Sequence, residues 1–340
     1  EGSAIVTGKV YLYSGAKTLL GSRNWQKMSP FNYTWYAWLR TGPIQEAYRA
    51  AYQEVFEQLS KPMAYIPPSG RGPTSLEASQ NIVSDADRLD RKMKPRPRDF
   101  ALVVGIERYQ NAPPAEYAER DATTVRAYLL ALGVPEENII FLLGQRATRA
   151  GLERYLEEWL PRNVAADSRV YFYYSGHGAP DPTDGAAYVI PWDGDPAFLR
   201  SSAYPLSLLY KKLAALPAGE VVALLDSCFS GAGGRSVLVA GARPLVNVIQ
   251  PVATNDPKLS VLTAAGANEI AGTIAEQGHG LFTYFILKGL QGAADGDGDK
   301  HVTLGELSRY VLTQVRRAAR RQNREQTPQL LSAAKEVSLY

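Results

Sequence analysis

One thiol and one imidazole stand in matching places in this chain. Cys228, the sole cysteine among 340 residues, lies in Asp226-Ser227-Cys228-Phe229-Ser230-Gly231, directly after the apolar run Val221 to Leu225. His177 lies in Ser175-Gly176-His177-Gly178, directly after Val170 to Tyr174. Both runs have the length and composition of buried strands. Strands that end at one edge of a sheet could bring the two groups together, which is the geometry a cysteine nucleophile and its base need. A lone cysteine is more often a small buried hydrophobe. Here its flanks are polar and end the strand, so the sequence predicts a reachable thiol. Gly176 and Gly178 allow close backbone approach around the histidine. His279 also sits between glycines but precedes a helical pattern, and reads as structural. His301 lies in an acidic loop and is a poor base candidate.

The elements that must position this pair follow from the texture of the chain after Phe100. Strand Ala101 to Ile106 precedes helix Arg120 to Leu132, and strand Ile139 to Leu143 precedes helix Ala150 to Leu160. The histidine strand, helix Leu206 to Leu216 and the cysteine strand come next. Strand Leu259 to Ala264, helices Leu281 to Leu290 and Leu304 to Arg320, and a last strand at Glu336 to Tyr340 complete the pattern. Strands alternating with helices predict an α/β fold with a mostly parallel sheet and helices on both faces. Ligands of such sheets bind outside the carboxyl ends of the strands, where both His177 and Cys228 fall. Residues 1–60 read as a small N-terminal appendage, with a strand at Ile5 to Tyr13 and a helix at Pro43 to Leu59. Residues 61–98 read as a Pro-rich basic linker carrying one short helix around Ser79 to Leu89.

Composition narrows the classes. The net charge of +3 is too small to argue for nucleic acid or a membrane surface. One cysteine excludes an intrachain disulfide, and three histidines supply a zinc site poorly. No stretch of about 18 apolar residues suggests a membrane span. The chain begins at Glu1 rather than at methionine. With the aromatic N-terminal segment, this favours an exported or periplasmic protein over a cytoplasmic one.

The strand-end motifs resemble those of the caspase-like cysteine peptidases, especially the bacterial members and the metacaspases. The resemblance rests on Ala101 to Ile106, Arg120-Asp121-Ala122, Tyr174 to Gly178 and Asp226 to Gly231. Gly278 to Tyr284 and Gln326 to Gln329 add to it, and together these cover residues 99–340. His177 lies 51 residues before Cys228, near the caspase spacing of about 50. The resemblance implies a peptidase domain over 99–340 with a Cys228/His177 dyad, and the backbone N–H groups of Gly178 and Cys228 facing the developing oxyanion. It also implies a pocket for substrate arginine, less well lysine, built by Asp226, Asp121 and Ser175. Animal caspases carry Gln-Ala-Cys where this chain has Asp226-Ser227-Cys228, and an aspartate there repels acidic substrates. Bland readings exist beside these: Asp121 as a helix N-cap, Asp226 as a strand-end turn former. Protein or peptide substrates with basic residues are the implied partners, and no organic cofactor is required.

Residues 295–306 fit the EF-hand spacing through Asp295, Asp297, Asp299, His301, Thr303 and Glu306, so Ca²⁺ is a candidate ligand. Lys300 stands where the sharp turn wants glycine, and the simpler reading is an acidic loop capping the helix from Thr303. Basic residues at Arg88 to Arg98, Arg235 and Arg243 offer sites for self-cleavage. Two rival functions are a catalytically silent caspase-fold scaffold for protein–protein contact and an unrelated thiol hydrolase.

Overall fold

The computed structural model describes residues 82–90, 92–181, 183–229, 256–266, 269–332 and 337–340. The N-terminal appendage, most of the linker, Arg235 and Arg243 lie outside these residues. Chain contacts divide the protein into two units, Glu1–Gly72 and Pro73–Tyr340, and the description below concerns the second.

Its centre is a six-stranded sheet built from β1 (Phe100–Gly105), β2 (Ile139–Leu143), β3 (Arg169–Ser175), β7 (Glu220–Asp226), β8 (Leu259–Thr263) and β11 (Gln329–Leu331). The spatial order is β11-β8-β7-β3-β1-β2. All pairings are parallel except the edge pairing of β11 with β8. Because helices cover both faces, the inner strands are apolar in nearly every position rather than alternating. One face packs Val103, Tyr171, Tyr173 and Val222 against helices α1 (Ala118–Ala131), α4 (Leu281–Lys288) and α5 (Leu304–Arg321). The other packs Leu102, Val104, Phe172, Tyr174 and Ala223 against a helical stretch over 149–163, here α2, and against α3 (Leu206–Ala214).

Several sequence expectations change. The second helix runs on to residue 163, with a π-helical middle at Arg154–Trp159. Residues 82–89 hold only a turn, not a helix. Residues 337–340 are not a strand; Ser338 makes one isolated bridge to Thr303, and the closing strand is β11 instead. After His177 the chain forms a small antiparallel sheet, β4 (Gly178–Pro180), β5 (Ala187–Val189) and β6 (Tyr204–Pro205), and before α4 the two-residue strands β9 (Thr273–Ile274) and β10 (His279–Gly280) pair antiparallel. Strands this short carry too few residues for alternation to show in sequence.

Gly105 ends β1 where α1 crosses it. A Cβ there would stand 2.5 Å from Ala122 Cβ and 2.7 Å from the Ala118 carbonyl oxygen. Only glycine lets α1 lie this close, and that approach brings the first turn of α1 to the strand ends. Gly105→Ala is therefore expected to destabilise the fold by about 1–3 kcal/mol, read as a fall in urea midpoint at unchanged slope. An unchanged midpoint would show that α1 has room to give.

Candidate active site

The two central strands pair in register, with Ser175 opposite Asp226, and the Gly176 N–H donates to the Asp226 carbonyl at 3.3 Å. His177 and Cys228 thus each stand two residues beyond the same rung of the ladder. Strands in a sheet lie about 4.8 Å apart, so the two loops leave the sheet side by side. Gly178 shows how closely they run. A Cβ on it would sit 2.4 Å from the Cys228 carbonyl oxygen and 2.5 Å from the Phe229 ring.

The histidine is held from several directions. Its backbone N–H donates to the Tyr109 hydroxyl at 2.6 Å, and the Tyr109 ring lies against the imidazole at 4.9 Å between centroids. The Tyr174 hydroxyl stands 2.7 Å from the His177 carbonyl and 2.9 Å from that of Ile190. Nε2 lies 2.8 Å from the Pro113 carbonyl oxygen. A carbonyl only accepts, so Nε2 carries hydrogen there, and in the neutral ring Nδ1 is the basic nitrogen. A base oriented by a third group is the arrangement nucleophilic catalysis uses.

Cys228 departs from expectation. Its polar flanks predict exposure, yet the residue is 1% exposed. The Ala271 backbone N–H donates to its Sγ. Residues 270–272 lie over the thiol and are latched from behind. The Gly272 N–H donates to Gln326 Oε1 at 3.0 Å, and Gln326 Nε2 donates to the Ala264 carbonyl. The Arg324 guanidinium occupies the space a Gly272 side chain would fill. Burial pushes the Arg324 pKa below its usual range, while Cys228 and Asp226 pull it back up. A cation therefore stands against Gly272, next to the residue that contacts the thiol, from a segment about a hundred residues downstream.

Asp226, Asp121 and Ser175 come together beneath this pair, all fully buried. Asp226 is not an open carboxylate. Thr283 donates to its Oδ2 from the hydroxyl at 2.5 Å and from the backbone N–H at 3.2 Å, and Tyr173 meets the Thr283 hydroxyl at 2.7 Å. Nor does Asp121 cap a helix. α1 starts at Ala118 with Tyr117 as its cap residue, which places Asp121 in the first turn. Its carboxylate accepts from His279 Nδ1 at 2.8 Å and from the Gly280 N–H, and the Ser175 hydroxyl lies 3.4 Å away. His279, read as structural, bonds a candidate pocket residue directly.

The acidic loop stands apart from these groups. The side chains of Asp295, Asp297 and Asp299 offer oxygens within 4.8 Å of one another. Lys300 takes the left-handed turn at φ +71°, as the glycine of an EF-hand loop would. Thr303 and Glu306 form a capping box at the start of α5, and the other Glu306 oxygen accepts from the Gly296 N–H. Those bonds, led by the Thr303 N–H, hold the Glu306 carboxyl below its usual pKa. The His301 ring donates through Nδ1 to the Tyr340 carbonyl.

Tyr109, Pro113, Ala271 and Arg324 carry no sequence signal, since each meets the site only through folding across long separations. Thr283 had one, in the Gly278 to Tyr284 motif.

Gly178→Ala is expected to push the loops apart through the Cys228 carbonyl. It should lower turnover at least about a hundredfold, since misplacing reacting groups by an ångström costs that much. Tyr109→Phe should leave the His177 N–H without its acceptor, at about 1–3 kcal/mol of stability. Equal melting curves for Tyr109→Phe and the parent would remove the hydroxyl from this account.

The sequence pattern of the caspase domain matches residues 98–340. A protein named a probable protease, from a Desulfuromonadales bacterium, is 25% identical over 266 residues. The match takes in 69% of this chain and 32% of that protein, so the chain spans about a third of its relative's length. The crystal structure of protein GSU0716 from Geobacter sulfurreducens superposes with a TM-score of 0.52 at 17% identity, over 72% of this chain and all of that one, a likeness of fold. With more than half its length matched, the chain belongs to the caspase-domain family of cysteine peptidases.

Proposed function

We propose that this protein is an endopeptidase that cleaves after arginine, and less well after lysine, with Cys228 as nucleophile and His177 as base. The observation that carries the reading is the shared rung of β3 and β7, with Ser175 opposite Asp226 and with His177 and Cys228 each two residues beyond it. Nδ1 of His177 takes the thiol proton, and the thiolate attacks the substrate carbonyl carbon. The backbone N–H groups of Gly178 and Cys228 receive the oxyanion; such donors are worth about 2.7–4 kcal/mol each. The imidazolium then protonates the leaving amine, and water hydrolyses the thioester to release the acid and restore the thiol. For a carbonyl to reach Sγ, residues 270–272 must withdraw, so the arrangement described is a resting one. Autoprocessing falls at Arg235 or Arg243 rather than at Arg88, whose carbonyl is held by Tyr128 and Gln291.

Arginine suits the pocket because buried carboxylates with donors on one side can take a guanidinium fork on the other, whereas an aspartate would meet like charge. Arg324 supports this, being a guanidinium already settled near Asp226 and Cys228. The test is a matched set of fluorogenic peptides ending in arginine, lysine, leucine or aspartate. Cys228→Ala should abolish cleavage of all. Asp226→Asn should cost about 2–5 kcal/mol in kcat/KM for arginine, while alkylation of Cys228 by iodoacetamide continues. Preference for leucine or aspartate would sink the pocket assignment; wild-type turnover by Cys228→Ala would sink the mechanism and favour the scaffold reading.

Calcium belongs to the same proposal. Asp295, Asp297 and Asp299 would supply side-chain oxygens, whereas Glu306 is engaged by the helix cap and the His301 ring by Tyr340. Millimolar Ca²⁺ added to metal-free protein should raise the melting temperature by mass action, and Asp295→Asn should abolish the rise. No rise in the parent removes the ion and leaves the loop as a helix cap.

A further inference from the structure

His279 is fully buried between two carboxylates. Nδ1 lies 2.8 Å from Asp121 Oδ1 and Nε2 lies 3.1 Å from Asp87 Oδ1. Both ring nitrogens thus meet carboxylate oxygens, and the ring is fixed at both ends. Asp87 is in turn gripped by Arg120, whose Nη2 lies 2.8 Å from Oδ2. The result is a line of polar contacts, Arg120–Asp87–His279–Asp121, that ends at the Ser175 hydroxyl beside the thiol-bearing strand. Its outer members do not belong together in sequence. Arg120 and Asp121 are on α1 and His279 precedes α4, but Asp87 comes from residues 82–90, upstream of the matched caspase domain.

That upstream segment is strapped to the domain. Arg120 Nη2 also donates to the Ile82 carbonyl at 2.6 Å, the Tyr128 hydroxyl donates to the Ala86 carbonyl at 2.7 Å, and the Ser84 hydroxyl donates to Gln277 Oε1 at 2.7 Å. Ala86 is fully buried. Main-chain and neutral bonds would suffice to hold the strap down. A carboxylate aimed at a buried imidazole adds something else: it decides where that ring sits against Asp121.

We propose that Asp87 is a positioning residue of the substrate pocket, orienting Asp121 through His279, so that the strap over residues 82–90 forms part of the pocket's supporting structure. Orienting groups of this kind act on the residue that meets the ligand, and their loss typically weakens binding about tenfold or more. The chemistry at Cys228 lies on another strand end and is not held by this line. Asp87 is therefore expected to act on binding rather than on turnover.

The proposal rests on Asp121 as a pocket residue, and the experiment separates the two. Asp87→Ala and Asp87→Asn are compared with the parent using an arginine-ended peptide. Turnover gives KM and kcat, and calorimetry with the same variants in a Cys228→Ala background gives Kd without any reaction. Asp87→Ala should raise KM and Kd about tenfold, with kcat and the iodoacetamide alkylation rate within about twofold. Asp87→Asn keeps an oxygen for Nε2–H and should recover most of the loss. A fall in melting temperature with KM and Kd unchanged would overturn the proposal and leave the strap as a fold staple. Should Asp87→Ala fail to fold, Asp87→Ser, whose hydroxyl is too short to reach Nε2, takes its place: a Kd equal to the parent's is then the overturning result. If the parent prefers a residue other than arginine, the specificity reading fails, and the same series on the preferred peptide still decides the role of Asp87.

Discussion

The in-register parallel pairing of β3 with β7 is the constraint on which the site depends. It sets Ser175 beside Asp226 and lets two loops leave the sheet abreast, one carrying His177 and the other Cys228. Side chains in a strand alternate faces, so a slip of one residue would turn Asp226 away from α4 and its Thr283 donors. The apolar composition of both strands does not by itself fix the register. Tyr171, Tyr173, Val222 and Leu224 face one helical layer, and Phe172, Tyr174, Val221 and Ala223 face the other. A slip would expose neither set to water, but it would strand Asp226 in the other apolar layer, away from Asp121. The polar rung at the strand ends thus fixes what the apolar body leaves free.

Those aspartates are a cost that the fold offsets locally. Burying an ionised carboxylate is unfavourable unless it is hydrogen-bonded and balanced by charge. Asp226 meets the backbone and hydroxyl of Thr283 in the first turn of α4, where the helix dipole also favours an anion. Asp121 meets His279 and the Gly280 N–H, from the residues that lead into the same helix. Both carboxylates are therefore anchored by residues 279–283, which ties α4 to the sheet edge more firmly than apolar packing alone would.

The thiol shows the opposite economy. It is covered rather than presented, by Ala271 above it and by Gln326 and Arg324 behind that segment. Residues 270–272 lie between β8 and α4, and each of the holding groups comes from the short stretch between α5 and β11. The cover thus combines the burial of Ala271 with hydrogen bonds and one cation from the stretch behind it.

Much was legible in the sequence because it was local. Buried parallel strands need continuous apolar runs, and the runs ending at Ser175 and Asp226 announced themselves together with the polar motifs they deliver. The amphipathic pattern of α5 and its Thr303–Glu306 cap were equally readable. What sequence spacing cannot encode is which distant groups meet at a strand end. The burial of Cys228 under Ala271, the tie from Pro113 to His177, and the route from Asp87 through His279 to Asp121 each join residues far apart in the chain. The glycines at 105 and 178 advertise freedom in sequence, yet only the folded backbone shows that a helix and a neighbouring loop fill the space a side chain would take. Chain composition settled which chemistry was available; three-dimensional closure decided which partners hold it, because hydrogen bonds and charges act through distance in space and not along the chain.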